Sequence, residues 1–301
     1  MTVNRLDCLA PLCRYPGIKT RTGRFFLPYL DLSNVKAYVE PFAGAGGMTL
    51  HIVPRLAKGT MVVLNDLDPG IAALWQSLTG EATLAAVCRR IGAFTPTIGA
   101  FTTYAENPIV DDGIETAFRC LVLHQCSYNG FGAQGGPMGG WQQQDGRNRL
   151  AGRWKAERLQ GNLRRWHQLL RTMAVQVVNC DGIALLDQIP DSESVLVYAD
   201  PPYVEAGPRF YRLGLDEQAH RRLAARLRST ERLRWAVTYD DHPLVRHMYE
   251  GLRIEEVDVH GWRRPRKSRF HHRRLDTRRI DLCMASADNE RSRTDGQPSV
   301  T

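Results

Sequence analysis

The apolar positions of the chain fall into short runs separated by amphipathic segments. Helical periodicity covers residues 48–57, a stretch after Pro69, and residues 216–229 and 242–251. Runs rich in β-branched and aliphatic residues, which are typical of strands, cover residues 36–40, 60–64, 174–179, 194–199, 233–238, 253–259 and 278–285. This alternation predicts an α/β fold with a Rossmann-like sheet of parallel strands joined by crossover helices.

The pattern changes between residues 81 and 171. Helical stretches are predicted there over residues 82–90, 114–125 and 155–171, around a glycine-rich polar loop at 128–153. The loop is too polar for a core and too long for a simple connection. We interpret residues 81–171 as a helical recognition subdomain inserted into a domain formed by residues 1–80 and 172–286. The polar residues 287–301 are expected to be a disordered tail.

The composition is that of a globular protein with a sizeable core. The chain has 301 residues, of which 43% are hydrophobic and 24% charged. It has no apolar run of about 18 residues that could cross a membrane, and its first residues lack the apolar stretch of a signal peptide. The seven cysteines are scattered without a Cys-x-x-Cys pair, so neither a disulfide framework nor a metal site is indicated. We expect a cytoplasmic protein with reduced thiols and no bound metal.

The formal net charge of +8 is concentrated near the C-terminus. Nine Lys or Arg residues and a single acid, Asp276, lie between Arg263 and Arg279. Such a segment is expected to bind a polyanion such as nucleic acid. A solvated loop without a partner is the alternative.

A strand that ends in Asp200-Pro201-Pro202-Tyr203 carries the strongest chemical signal. The Asp200 carboxylate and the Pro201 carbonyl can both accept hydrogen bonds from a planar amino group, while the prolines cannot donate and keep the turn rigid. Tyr203 offers an aromatic face for stacking. The segment therefore suits holding the amino group of a nucleobase during electrophilic attack, although an ordinary turn after a buried strand is the alternative.

A glycine turn, residues 40–47, follows the first strand and opens a helix. Backbone N–H groups in such a turn can lie close to a cofactor. Thr49 stands where a dinucleotide fingerprint would place its third glycine, which argues against a nucleotide-dependent oxidoreductase. Asp66, which follows the next strand, is placed to accept hydrogen bonds from ribose hydroxyls. Together these residues favour a cofactor that contains adenosine.

The segment Phe42-Ala-Gly-Ala-Gly46, followed by Asp200-Pro-Pro-Tyr203, resembles the Dam-type DNA adenine-N6 methyltransferase family, with the alpha-group order of motifs. The resemblance implies a methyltransferase sheet that uses S-adenosylmethionine, with residues 81–171 as the target-recognition insertion. The implied catalytic residues are Asp200, Pro201, Pro202 and Tyr203, the last stacking on an adenine flipped out of the duplex.

The same resemblance implies a set of cofactor residues: Tyr15, Lys19, Phe42, Gly44, Gly46, Asp66 and Asp181. In this family the counterpart of Lys19 meets the cofactor's carboxylate, and that of Asp181 binds its adenine amino group. Asp181 could equally be a helix N-cap. Three residues depart from the family pattern: Tyr15 replaces Trp, Ile18 replaces Gly, and Gly182 replaces Phe. Each departure could loosen a contact to the cofactor.

The DNA contacts are expected from the insertion and from the basic segment. The residues concerned are Asn129, Trp141, Arg147, Arg264, Arg266, Lys267 and Arg269. Asn129 lies in a Ser-Tyr-Asn-Gly stretch that is similar to the family's DNA-contacting region. Because the basic segment joins the last two predicted strands, we expect it at the sheet edge that carries Asp200.

The resemblance also implies partners and a place in the cell. We expect a bacterial or phage-encoded monomer that binds double-stranded DNA in the cytoplasm, associated with the nucleoid, with a cognate restriction endonuclease as a further candidate partner. A methyltransferase acting on RNA adenine or on the N4 amino group of DNA cytosine would use nearly the same pocket. A DNA-binding module without catalysis is the remaining alternative. Asp rather than Asn at position 200 argues against a protein-glutamine methyltransferase.

Overall fold

A computed structural model of the chain describes residues 9–107, 111–143, 149–205, 213–258 and 280–285. In this part of the chain seven strands form one sheet, in the order β3-β2-β1-β4-β5-β7-β6. The strands are β1 (Ala37–Glu40), β2 (Met61–Asn65), β3 (Ala174–Val178), β4 (Val195–Ala199), β5 (Arg234–Asp240), β6 (Arg253–Asp258) and β7 (Ile280–Ala285). The first five are parallel, and β7 runs antiparallel between β5 and β6. The predicted α/β fold and its parallel sheet are confirmed.

The helices connect these strands and cover both faces of the sheet. They are α1 (Gly23–Phe26), α2 (Thr49–Ile52), α3 (Pro69–Gln76), α4 (Glu81–Ala93), α5 (Ile98–Glu106), α6 (Gly113–Cys126), α7 (Leu150–Arg153), α8 (Ala156–Leu170), α9 (Gly182–Asp187), α10 (Glu217–Arg228) and α11 (Pro243–Met248). The predicted cap of α10 is confirmed, since Asp216 accepts a hydrogen bond of 2.7 Å from the Ala219 N–H.

Three helices, α1, α5 and α7, were not predicted, and two predicted helices, over residues 48–57 and 242–251, are shorter than expected. The prediction over residues 48–57 was wrong in its length, because the α-helix α2 ends after one turn and a 3-10 turn, Val53–Arg55, follows it. Pro54 lies in that turn and has no N–H with which to continue the α-helical ladder. The glycine turn therefore leads into a short helical element.

The sheet separates two hydrophobic clusters, and alternate residues of each strand belong to opposite clusters. In β4, Leu196 and Tyr198 point into the first cluster, while Val195, Val197 and Ala199 point into the second. Helices α3, α4, α6 and α8 cover the first cluster, and α9, α10 and α11 cover the second. The result is a three-layer α/β/α arrangement.

This alternation also decides which polar side chains meet at the carboxyl edge of the sheet. Alternate residues of a strand share a face. Glu40, Asp66, Asp200 and Thr238 each follow a residue of the first cluster by two positions, so all four lie on the side of that cluster. Four polar positions far apart in sequence are thus brought to one edge and one face.

The helices of the proposed insertion share their core with the sheet. Buried residues of α4, α6 and α8 belong to the same cluster as Tyr38 of β1 and Leu64 of β2. Helix α6 packs against α3, and α4 packs against α8. The division into a domain of residues 1–80 and 172–286 and an insertion of residues 81–171 stays a prediction, and the structure adds that the two parts have a common core.

The described strands on either side of the basic segment, β6 and β7, meet it at the edge where β4 ends. Strand β6 is antiparallel to β7, which is antiparallel to β5, so β6 runs parallel to β4. The chain leaves β6 at Asp258 and enters β7 at Ile280, so the described residues that flank the segment lie at this edge, and the location of the segment itself stays a prediction. The basic residues themselves lie outside the described residues. Within the described residues, no helix has the length and apolar character that crossing a membrane requires.

Candidate active site

A cavity of about 530 Å³ lies at the carboxyl edge of the sheet, on the side of the first cluster. Its walls come from residues 15–19, the glycine turn, the start of α3, one face of α6, residues 131–134 and the ends of β3 and β4. The volume is in the range that binds small molecules and cofactors, about 300–1,000 Å³. Eight of the predicted site residues line it: Tyr15, Lys19, Phe42, Gly44, Asp66, Asp181, Asp200 and Pro202.

An ion pair between Lys19 and Asp200 occupies one end of the cavity. The Lys19 Nζ lies 2.7 Å from Oδ1 and 3.0 Å from Oδ2 of Asp200, and it also donates to the hydroxyl of Tyr203. Lys19 is only 4% exposed, and its ammonium group, which has three hydrogens to donate, lies within hydrogen-bond distance of these three oxygen atoms. Asp200 keeps 19% of its side chain exposed to the cavity. The lysine predicted to bind a cofactor carboxylate is therefore paired with the predicted catalytic acid.

Gly47 allows this pair to form. A Cβ atom at Gly47 would lie 2.6 Å from the Lys19 backbone nitrogen and 2.7 Å from Cγ1 of Ile18. The absence of a side chain lets the N-terminal segment run directly over the glycine turn. The family's glycine at position 18 is replaced by Ile, and the structure accommodates this side chain beside Gly47 without displacing Lys19.

Tyr203 does not present an open ring to the cavity. It is 6% exposed, its ring centroid lies 6.0 Å from that of Tyr239, and it is not among the cavity-lining residues. Pro201 is also buried behind the cavity wall. The stacking role predicted for Tyr203 stays a prediction, and it requires the ring to become uncovered. In this structure the hydroxyl of Tyr203 holds Lys19.

The glycine turn is fixed by hydrogen bonds on both sides. The Gly44 N–H donates to Oδ2 of Asp66 over 2.8 Å, and the Gly44 carbonyl accepts from Nε1 of Trp75 over 2.8 Å. Gly46 has a φ of 81°, and a Cβ there would lie 2.7 Å from the Trp75 ring. Gly46 is therefore required for packing under the turn, whereas Gly44 faces the cavity.

Two carboxyl groups in the cavity wall have raised pKa values. Burial raises the pKa of Asp66 to about 7, against the lowering effect of the N–H groups of Asp68 and Gly44. Burial raises the pKa of Glu40 to about 8, although the hydroxyls of Thr49 and Tyr38 donate to its carboxylate. The protonation of Asp66 and Glu40 therefore depends on the charge of the ligand in the cavity.

Glu40 is a functional candidate that the sequence analysis missed. It was treated only as the end of the first strand, yet it is buried, lines the cavity and lies close enough to Asp200 and Asp66 for their charges to raise its pKa. The sequence did contain a signal for Glu40. It is a charged residue at the last position of an otherwise apolar strand, directly before the glycine turn.

Asp181 caps helix α9 and also faces the cavity. Its Oδ1 accepts from the N–H groups of Ile183 (2.8 Å) and Ala184 (3.0 Å). Oδ2 has no hydrogen-bond partner among the described residues. The N-cap interpretation is confirmed for one oxygen, and the other remains available to a ligand, so the two roles predicted for Asp181 are compatible.

Gly182 makes room for Phe42. A Cβ at Gly182 would lie 2.8 Å from Cε1 of Phe42 and 2.8 Å from the Pro41 carbonyl oxygen. A larger residue after Asp181, as in the family pattern, would displace the Phe42 ring from the cavity wall. Gly182, which departs from the family pattern, therefore leaves the space that the Phe42 ring needs in the cavity wall.

The predicted DNA-contacting turn, residues 127–130, is joined by His124 and Arg14 to the part of the cavity wall that contains Tyr15. Tyr15 lies between Gly44, where an added Cβ would be 3.1 Å from the ring, and His124, whose ring centroid is 5.1 Å away. His124 Nδ1 lies 2.8 Å from the Gly130 carbonyl oxygen, and Arg14 donates to the backbone next to this turn. Burial lowers the pKa of His124.

The remaining predicted DNA contacts divide into two groups. Asn129 and Trp141 lie outside the cavity wall, Asn129 exposed with a φ of 51° and Trp141 57% exposed. Tyr128, which was not predicted, is also exposed beside Asn129. The others lie outside the described residues: Arg147, Arg264, Arg266, Lys267 and Arg269.

The cavity wall carries more acidic than basic side chains. Among the described residues the lining acids are Glu40, Asp66, Asp68, Asp181 and Asp200, against the bases Lys19 and Arg119. Acceptors spaced around the cavity suit a ligand with hydroxyl and amino donors, and the negative surplus suits one that carries positive charge. An adenosine sulfonium compound has both properties.

Comparison with protein families gives a match over most of the chain. The family model of the D12 class N6 adenine-specific DNA methyltransferases matches residues 15–260, which include every described residue of the cavity wall and most of the sheet. A search of curated proteins finds no match.

Proposed function

Because this chain belongs to the D12 class N6 adenine-specific DNA methyltransferase family, we propose that the cavity is its active site. As a member of that family the protein is an enzyme that methylates the N6 amino group of adenine in DNA. The observation that supports the location is the carboxylate of Asp200, held at the cavity wall by buried donors and still open to a ligand. The family assignment favours DNA adenine over RNA adenine and DNA cytosine.

The methyl donor of this active site is S-adenosylmethionine. Asp66 would accept from the ribose hydroxyls, and Oδ2 of Asp181 from the adenine amino group. Phe42, kept in the wall by Gly182, supplies an apolar surface for the adenine ring. The acidic surplus of the wall supports a cationic donor.

Asp200 and the Pro201 carbonyl would hold the target amino group. Each accepts one N–H, which turns the nitrogen lone pair out of conjugation and aims it at the electrophile. The cofactor, when bound, would supply an electrophilic methyl group on a positively charged sulfur, a leaving group that takes the electron pair of the broken bond. The amino nitrogen held by Asp200 would gain the methyl group and lose one proton, which is released to the solvent. Alignment of the reactants by these residues can lower the barrier by about 7–11 kcal/mol.

Lys19 has a different role in this proposal from the one that the family resemblance implies. Its ammonium contacts both oxygens of Asp200 and the hydroxyl of Tyr203, so it acts as the counter-charge of the catalytic acid. Among the described residues Lys19 is the cation paired with Asp200, and removing it would leave a partly buried carboxylate without that partner, at a considerable energetic cost.

Access to the target adenine requires that it be flipped out of the duplex, which costs a few kcal/mol. We assign phosphate contacts that offset this cost to the basic segment, including Arg264, Arg266, Lys267 and Arg269, since the end of β6 and the start of β7, which flank the segment, lie at the edge that carries Asp200. Asn129, Trp141 and Arg147, all from the glycine-rich loop at 128–153, would contribute further DNA contacts. Binding as a monomer, an associated restriction endonuclease, and a cytoplasmic location at the nucleoid belong to the same proposal.

The proposal is tested by transfer of a labelled methyl group from S-adenosylmethionine to unmethylated duplex DNA and to RNA, followed by digestion to nucleosides. The expected product is labelled N6-methyladenine in DNA. Label in RNA alone, or in N4-methylcytosine, would contradict it.

A further inference from the structure

Thr238 lies beside Asp200 although no sequence motif contains it. In the parallel pairing of β4 with β5, Ala199 is opposite Val237, and the next step along both strands brings Thr238 to Asp200. Thr238 is fully buried, and its Oγ1 lies 2.7 Å from Oδ1 of Asp200. The hydroxyl of Tyr198 lies 3.0 Å from the same Oγ1.

The chemistry of the three groups fixes the direction of these hydrogen bonds. A carboxylate accepts only, so the single hydrogen of the Thr238 hydroxyl goes to Asp200. The hydroxyl of Tyr198 must then donate to Thr238. Burial and the charge of Asp200 raise the pKa of Tyr198 well above its ordinary value, which keeps that donor protonated. The result is a directed chain from Tyr198 through Thr238 to Asp200.

The two oxygens of Asp200 are consequently unequal. Oδ1 accepts from both Lys19 and Thr238, whereas Oδ2 accepts only from Lys19 among the described residues. An ionised carboxylate oxygen has about two acceptor sites, so Oδ1 is filled and Oδ2 has one site left. Since Asp200 is 19% exposed and lines the cavity, that site is available to a ligand.

We propose that Thr238 is a positioning residue that fills Oδ1 of Asp200, so that Oδ2 alone receives the amino hydrogen of the target adenine. The inference rests on the proposed function, because it assumes that Asp200 holds the amino group. It adds a residue of β5 and a specific oxygen to that function. A freely rotating carboxylate could offer either oxygen, and the Thr238 hydroxyl removes this freedom.

The test compares Thr238→Val, which keeps the shape but removes the hydroxyl, with Thr238→Ser, which keeps the hydroxyl. Loss of one hydrogen bond to a charged group is expected to slow single-turnover methyl transfer by Thr238→Val about 10- to 100-fold. The KM for S-adenosylmethionine and for DNA should change less than about threefold, and Thr238→Ser should retain at least about a third of the wild-type rate. Thermal melting of each variant shows whether it is folded.

A wild-type rate in folded Thr238→Val would overturn the inference, as would a Thr238→Ser variant as slow as Thr238→Val. An equal loss of rate and cofactor affinity would also overturn it, because that would indicate a general distortion. If Thr238→Val does not fold, Thr238→Ala is measured in its place, with the same expected and contradicting results. Asp200→Asn distinguishes a failure of the proposed function from a failure of the role of Thr238. If Asp200→Asn is as active as the wild type, the proposed function itself fails. If Asp200→Asn is inactive and Thr238→Val is fully active, only the role of Thr238 is overturned.

Discussion

The ammonium group of Lys19 lies 2.7 Å from Oδ1 and 3.0 Å from Oδ2 of Asp200, which joins the N-terminal segment to the end of β4 across 181 residues of sequence. Both groups are largely shielded from solvent, so the attraction between them is screened far less than that of a surface pair. The pair connects the part of the chain that closes the cavity with the residue that we propose to hold the substrate.

Lys19→Met should reduce the turnover number about 100- to 1,000-fold, because it removes a preorganised charge next to the reacting group. The dissociation constant for S-adenosylmethionine, measured by calorimetry, should change less than about threefold. Lys36→Met, which removes an exposed lysine, is the matched control and should leave both quantities unchanged. A large loss of cofactor affinity in Lys19→Met would instead favour the contact to the cofactor carboxylate that the family resemblance implies.

Asp181→Asn and Asp181→Ala should separate the two roles of Asp181. Asparagine caps a helix as well as aspartate does, so Asp181→Asn should keep the stability of the protein, whereas Asp181→Ala should lose about 1 kcal/mol. Both variants should bind S-adenosylmethionine about 10-fold more weakly, because each lacks the free acceptor that faces the cavity. Denaturant unfolding and calorimetry give the two quantities. Wild-type affinity in Asp181→Asn would reduce Asp181 to a helix cap.

Glu40→Gln should change how stability depends on pH. The folded-state pKa of Glu40, about 8, lies above its ordinary value of 4.5. The stability that this group contributes is therefore complete below about pH 4.5 and is lost as the pH rises through about 8. The full shift corresponds to at most about 5 kcal/mol.

Glutamine keeps the acceptor for Tyr38 and Thr49 but does not ionise. The melting temperature of Glu40→Gln relative to the wild type should consequently rise between pH 5 and pH 9, as measured by calorimetry without ligand. Asp66, with its pKa of about 7, titrates in both proteins, so its contribution largely cancels in the comparison. A difference that stays constant over this range would contradict the assignment of the raised pKa to Glu40.

Gly182→Ala should destabilise the protein by about 1–3 kcal/mol, the usual cost of forcing an extra methyl group into a filled site. The added Cβ would lie 2.8 Å from both the Phe42 ring and the Pro41 carbonyl oxygen. Gly161→Ala in α8 is the control, since its nearest neighbour would be the Arg165 side chain at 3.7 Å. This control should gain about 0.5–1 kcal/mol from helix propensity. Urea unfolding measures both, and equal effects would show that the contact to Phe42 is not tight.

The strands and the edge of the sheet that carries the site were predictable from the sequence, because runs of β-branched and aliphatic residues mark the strands. The location of Asp66 and Asp200 followed, since the carboxyl ends of parallel strands meet at one edge.

The partners of individual side chains were not predictable. Lys19 was assigned by resemblance to a cofactor contact, and its pairing with Asp200 depends on how closely residues 18–19 approach Gly47. Thr238 carries no motif, and only the register of β4 against β5 brings it to Asp200. Burial of Tyr203 against Tyr239 depends likewise on packing that no local pattern encodes.

The most direct test of the active-site proposal is Asp200→Asn, which preserves the size of the side chain and removes its charge. We predict that methyl transfer to the N6 position of adenine in duplex DNA falls at least about 100-fold, as for other groups that act directly on the reacting atoms. The dissociation constant for S-adenosylmethionine should stay within about threefold of the wild-type value. Undiminished transfer by Asp200→Asn, or a loss of transfer fully explained by lost cofactor binding, would contradict the assignment of Asp200 as the residue that holds the adenine amino group.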